Sequence, residues 1–120
     1  MPLRAIRGAT RLSANDADEM TEAVAEVLGA IIERNLLRSD DMVSIILTAT
    51  PDLTCAFPAA GARAFGLVDV PLLCAQEMNV EGALEKVVRV LVHADMDMPR
   101  GDIQHVYLRG AEVLRQDLIQ

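Results

Sequence analysis

Two stretches, MVSIILT at residues 42–48 and VVRVLV at residues 87–92, read as strands that are apolar on both faces, and this constrains the fold more than any other feature of the chain. A strand of that kind has to be covered on both sides. Only one segment is long enough to serve as a cover. Ser13, Asn15 and Asp16 supply candidate caps, and Asp18 and Glu19 put acids where a helix dipole favours them. Met20, Ala23, Val24, Val27, Leu28, Ile31 and Ile32 then follow the three-four spacing of a single apolar stripe to about Asn35. One amphipathic helix covers one face of a sheet. The other face is expected to be covered by another copy of the chain, so packing alone predicts a homo-oligomer, and an oligomer interface is a common place for a ligand cleft.

The remaining segments fill out the sheet. Residues 3–12, LRAIRGATRL, predict a short strand whose Gly8 marks a bulge or a close backbone approach. Arg7 projects from the sheet if this strand is central and is merely solvated if it is an edge; the edge is the favoured reading. Pro51 cannot donate to a ladder, so the strand from residue 42 stops at Thr50. Pro58 near a first turn and Gly66 past a last one frame a short helix, AAGARAF, that carries Arg63. Strands at residues 68–73, 86–94 and 104–108 complete the tally. The fold class is α+β, a mixed five-stranded sheet with one long and one short helix, as a single domain over residues 1–120.

Composition bounds the function. A net charge of −7 argues against a nucleic-acid or anionic-membrane partner, either of which requires a basic field; an anionic ligand would need a local basic cluster. Nowhere do eighteen apolar residues run together, and no targeting segment is apparent, so a soluble, cytoplasmic protein is expected. Cys55 and Cys74 form neither a CxxC pair nor a dense framework. There is no glycine-rich phosphate loop, HExxH or GxSxG. His93 and His105 read as surface or structural residues, and Asp95 and Asp97 as a solvated turn. No metal and no cofactor are expected. An enzyme built from these parts relies on positioning and fixed charge.

Residues 70–89, VPLLCAQEMNVEGALEKVVR, set Cys74, Glu77 and Arg89 in apolar surroundings. A guanidinium in an apolar strand calls for an anionic partner, which is either Glu77 or a ligand. A structural Arg–Glu pair and a binding site are both compatible with these residues.

Several segments, taken in order, resemble one family: RAIRGAT around Arg7, ATPDL at residues 49–53, AFPA at 56–59, VP..C.QEM at 70–78, Arg89-Val90, and HVYL with VLR..L over residues 105–118. The chain is similar to the monofunctional chorismate mutases of the small trimeric class. The resemblance implies a homotrimer with a barrel-like core, active sites at subunit interfaces, and conversion of chorismate to prephenate without acid, base, nucleophile or cofactor. It also implies roles. Arg89 corresponds to the donor to the breaking ether oxygen, Arg7 with Tyr107 to the partner of the side-chain carboxylate, and Glu77 with the Cys74 region to the partner of the ring hydroxyl. Phe57, Ala59 and Leu114 match pocket-shaping positions, while Arg63 and Arg115 match cations near the mouth. Two positions depart from the pattern: Ala60 stands where a lysine is usual, and Leu73 where a small polar residue often precedes the cysteine. The alternative is a trimeric anion-binding or interaction module that kept the fold and lost turnover. An imine deaminase on a similar trimer has no support in the matched segments.

Overall fold

The computed structural model describes residues 2–115, with the side chain of Arg115 outside the described part. Helix α1 (Ala17–Arg34) supplies the centre of the core. Of the three candidate caps, Asp16 takes the role, its carboxylate accepting the Glu19 N–H at 2.9 Å. Glu19 in turn accepts the Ser13 N–H at 2.8 Å and the Ala14 N–H at 3.1 Å. The bond from the Ser13 backbone is the main cause holding the Glu19 carboxyl below its usual range. Asn15 serves elsewhere: its Oδ1 accepts the Thr54 and Cys55 N–H groups and its Nδ2 donates to Thr54 Oγ1, which pins the loop after the second strand.

The strands are β1 (Leu3–Arg11), β2 (Met42–Ala49), β3 (Leu72–Gln76), β4 (Val87–Asp95) and β5 (Val106–Tyr107), and the second helix is α2 (Ala59–Phe65). They form one mixed sheet in the order β3-β2-β4-β1-β5. β4 runs antiparallel to both β1 and β2, whereas β3 is parallel to β2 and β5 to β1. α1 packs on β1 and β5, and α2 packs on α1 and β3. The α+β class, the five strands and the two helices match the sequence reading.

Two local expectations change. β1 is an interior strand, because β5 pairs with it at Gly8 and Ala9 and the Arg7 N–H reaches His105 Nδ1 at 2.9 Å. A two-residue strand leaves almost no periodicity to read, which is why β1 looked like an edge. β3 begins at Leu72 rather than at residue 68. Gly66 closes α2 in the left-handed region (φ 113°), and the chain needs the following residues to turn back before pairing starts beyond Pro71.

Along β1, β2 and β4 alternate residues, among them Ile6, Ile45, Leu47, Val88, Val90 and Val92, are buried in the helix-covered core with the α1 stripe. Gly8 is the close approach that its position suggested, with no bulge in the β1–β4 register. A Cβ there would meet Ile31 Cδ1 at 2.7 Å and Val90 Cγ2 at 2.9 Å. The opposite face has no covering element within the described chain. Ile46 and Leu91 are half-buried on it and Leu73 is 62% exposed, so the uncovered sheet face inferred from the sequence is present, with polar and charged residues among its apolar ones.

Candidate active site

The uncovered face carries the charged residues. Register sets them in rows across the sheet: Tyr107 pairs with Ala9, Ala9 with Arg89, Arg89 with Thr48, and Thr48 with Ala75. In the next row Arg7 pairs with Leu91, Leu91 with Ile46, and Ile46 with Leu73. Residues directly paired share a face, and strands lie about 4.8 Å apart, so Tyr107 and Arg89 stand roughly 10 Å apart with only the methyl of Ala9 between them. The small side chain leaves a floor. Arg7, Ala9, Ile46, Thr48, Glu77, Arg89, Leu91 and Tyr107 all line the resulting cavity of about 270 Å³.

Glu77 follows β3 directly, and its N–H donates to Ala49 O at 2.9 Å, which continues the β2–β3 ladder by one residue and turns the carboxylate over the sheet. There Glu77 Oε2 lies 3.4 Å from Arg89 Nε and accepts a hydrogen bond from Thr48 Oγ1. The partner expected for Arg89 is therefore Glu77. The expected burial is absent, because the Arg89 side chain is 49% exposed. At 3.4 Å the contact is longer than the usual charge-assisted bond of about 2.7–2.9 Å, so the guanidinium is held but not saturated. Arg7 has no carboxylate within ion-pair distance among the described residues.

The other residues singled out from the sequence lie apart from this group. Cys74 pairs with Leu47 on the helix-covered side and packs against the core. It lines a second, wider cavity of about 700 Å³ at the β3 edge, together with Cys55, Phe57, Pro58, Ala60 and Gln76. Phe57 is 74% exposed there, although an aromatic side chain in so aliphatic a protein would ordinarily be buried. Ala59 is buried in the first turn of α2, and Arg63 is exposed on the same helix. Leu73 is on the open face in the Arg7 row, and Leu114 is half-buried in the short turn that follows β5. The side chain of Arg115 lies outside the described residues. One chain thus assembles Arg7, Glu77, Arg89 and Tyr107, but sets Phe57, Arg63 and Cys74 on a different surface.

The model of chorismate mutase type I matches residues 3–118. The chain belongs to the chorismate mutase type I family. It is 42% identical over 119 residues to the chorismate mutase AroH of Bacillus subtilis, covering 98% of this chain and 94% of that one. Against the Thermus thermophilus chorismate mutase AroH it is 42% identical over 117 residues, with 97% and 96% covered. A solved chorismate mutase from Clostridium thermocellum superposes with a TM-score of 0.89 at 48% identity, over 91% of this chain and 97% of that structure. The chain is an isomerase with chorismate mutase activity, acting in aromatic amino acid biosynthesis. The non-catalytic module is not favoured.

Two residues support this candidate site in ways that sequence reasoning did not foresee. Thr48 was not singled out, and its contact with Glu77 beside Arg89 depends on a register that no single segment encodes. Asn15 seemed a cap, whereas it fixes the loop leading to Phe57. Among the described residues no helix is long and apolar enough to cross a membrane, and no group of three His, Cys, Asp or Glu side chains is placed to hold a metal ion.

Proposed function

We propose that this chorismate mutase rearranges chorismate to prephenate in a cleft between neighbouring copies of a homotrimer, with Arg89 as the principal electrostatic group. The observation that carries the reading is the half-exposed Arg89, set between Ala9 and Thr48 on the open sheet face and sharing one cavity with Arg7 and Tyr107. A cavity of about 270 Å³ falls just below the range usual for small-molecule sites, as expected of a site that lacks one wall. Phe57 and Arg63 are exposed at the β3 and α2 edge, where a neighbour's open face can receive them. The uncovered sheet face supports the oligomer, and family membership supports three as its number.

In this rearrangement one ether C–O bond breaks as one C–C bond forms within the same molecule, so no proton or electron leaves the substrate. The protein has two tasks: to hold the compact reactive conformer, and to meet the negative charge that gathers on the ether oxygen. Arg7 and Tyr107 bind the side-chain carboxylate, fixing one end. Glu77, with the β3 edge backbone at Cys74 nearby, meets the ring hydroxyl at the other end. Phe57, Ala59, Leu73 and Leu114 exclude water, while Arg63 and Arg115 attract the dianion at the mouth. Arg89 donates to the ether oxygen, which accepts weakly in the substrate and strongly in the transition state, and that difference appears as rate. Purified protein mixed with chorismate should consume its diene absorbance and release prephenate in a chelating buffer. Tight chorismate binding without consumption would return the chain to the binding-module reading.

Thr48 acts through its neighbours. Its hydroxyl donates to the carboxylate that in turn holds Arg89, so Thr48→Val leaves Glu77 with one fewer partner and Arg89 with a looser one. Turnover should fall by about tenfold, the scale of one hydrogen bond to a charged group, with the Michaelis constant changed less than threefold. Thr48→Ser should restore it. Equal activity of the Val and Ser variants would show that the Thr48–Glu77 bond has no part in catalysis.

A further inference from the structure

Beyond Arg7 and Leu91, which form a wall common to both, a second concavity of about 440 Å³ adjoins the Arg89 cavity. It is a notch in the sheet edge. β5 pairs with β1 only at Gly8 and Ala9, so the first half of β1 is paired with β4 on one side and open on the other, where Arg100 and Ile103 help to line the gap. Arg4, Arg7, Arg100, His93 and His105 line the notch, and among the described residues no Asp or Glu does. That concentration of bases is unexpected in a chain of net charge −7.

None of the three arginines is within 4.0 Å of a carboxylate among the described residues, since the ion pairs present involve only Arg89 and Arg109. Arg4 donates from Nε to Met98 O at 3.0 Å, a neutral acceptor that fixes the side chain without cancelling its charge. His93 Nδ1 is engaged with Ser44 Oγ at 3.2 Å. His105 Nδ1 accepts the Arg7 N–H, which puts the ring proton of the neutral imidazole on Nε2. Like charges gathered around one concavity repel one another, and a concave wall focuses their field on an incoming anion. Any neighbouring copy that roofed the notch would strengthen the requirement, because desolvating unpaired guanidinium groups is costly.

We propose that the notch is a second anion site, taking a small oxyanion of two or more charges, such as phosphate or a compact polycarboxylate. Because Arg7 belongs to both cavities, an anion in the notch competes for the guanidinium that holds the substrate carboxylate. This coupling rests on the role given to Arg7 above; the binding itself does not.

The test compares inorganic phosphate with sodium chloride at matched pH and ionic strength, on the parent and on Arg100→Ala and Arg100→Gln, reading both the thermal midpoint and chorismate kinetics. Arg100 is outside the catalytic cavity, so turnover without phosphate should be unchanged in both variants. In the parent, phosphate should raise the midpoint above the chloride control by about 2 °C or more through preferential binding to the folded state. It should also raise the Michaelis constant at least twofold with turnover at saturation unaffected. Both effects should largely disappear in the Arg100 variants. An equal midpoint rise in parent and variants would place the ion elsewhere and overturn the site, and so would no rise in the parent, which would mean that other acids already meet these charges. A midpoint rise that depends on Arg100 without any change in the Michaelis constant would keep the site and overturn the coupling. If the parent failed to consume chorismate while the midpoint result held, the catalytic reading would fail and the site would stand.

Discussion

Arg89→Ala and Arg89→Lys should each lower turnover of chorismate by at least about 10²-fold to 10³-fold, the scale on which one preorganised donor to a developing oxyanion acts. The lysine variant is the more informative. It retains the charge, but Glu77 is held through Arg89 Nε at 3.4 Å, and a guanidinium can keep that contact while its terminal N–H groups point at a substrate. An ammonium on a shorter, non-planar stem has to choose between Glu77 and the ether oxygen. The loss should appear in kcat, with a smaller change in KM, because the ground-state ether is a poor acceptor. Arg89 is half-exposed in the isolated chain, so neither variant should disturb folding, and circular dichroism and solution mass should match the parent. Turnover of Arg89→Lys within a few-fold of the parent would return Arg89 to a structural ion pair.

Gly61→Ala should destabilise the chain by about 2–3 kcal/mol, the cost of overpacking where the surroundings cannot yield. A Cβ on Gly61 would be 2.6 Å from Val24 Cβ, 2.9 Å from Val24 Cγ1 and 3.1 Å from the Thr21 carbonyl oxygen. Val24 is fully buried in the middle of α1, and its Cβ is one bond from the backbone, so relief requires α2 to move off α1. The helix preference of alanine over glycine, about 1 kcal/mol, offsets only part of this. α2 carries Ala59 and Arg63 and follows Phe57, so a displaced helix should also raise KM. Gly101→Ala is the control, since a Cβ there meets nothing within 4 Å. Urea unfolding should show a lowered midpoint for Gly61→Ala and an unchanged one for Gly101→Ala; equal midpoints would mean that the α1–α2 contact is looser than its geometry.

Local chemistry made the frame legible. The acidic first turn and apolar stripe set α1, Pro51 ended β2, and Gly66 ended α2 in the left-handed conformation that a glycine accepts without strain. Features that depend on pairing between distant segments were not legible. β5 is two residues long, and only its pairing with Gly8 and Ala9 reveals that β1 is interior and that Arg7 projects from the sheet. The site divides along the same line. That Arg89 needs an anionic partner, Glu77 or a ligand, followed from the cost of an unpaired guanidinium, while the choice of Glu77 and the contact of Thr48 entered through register and geometry. Cys74 is close in sequence to Glu77, but its side chain is on the helix-covered side of β3, since a shift of one position along a strand exchanges faces.

That division of the site residues between two surfaces of one chain leads to the most direct test of the account. Arg89→Ala damages the open sheet face, and Arg63→Glu reverses the charge on the α2 surface; each variant alone should be nearly inactive. If every cleft combines the sheet face of one copy with the α2 surface of the next, some clefts in mixed trimers contain neither change. Unfolding the two inactive variants together and refolding them at equal concentration should therefore recover about a quarter of the parent activity, the share of clefts that random closed assembly leaves intact. No recovery, with mixed trimers present by mass, would contradict a cleft shared between subunits.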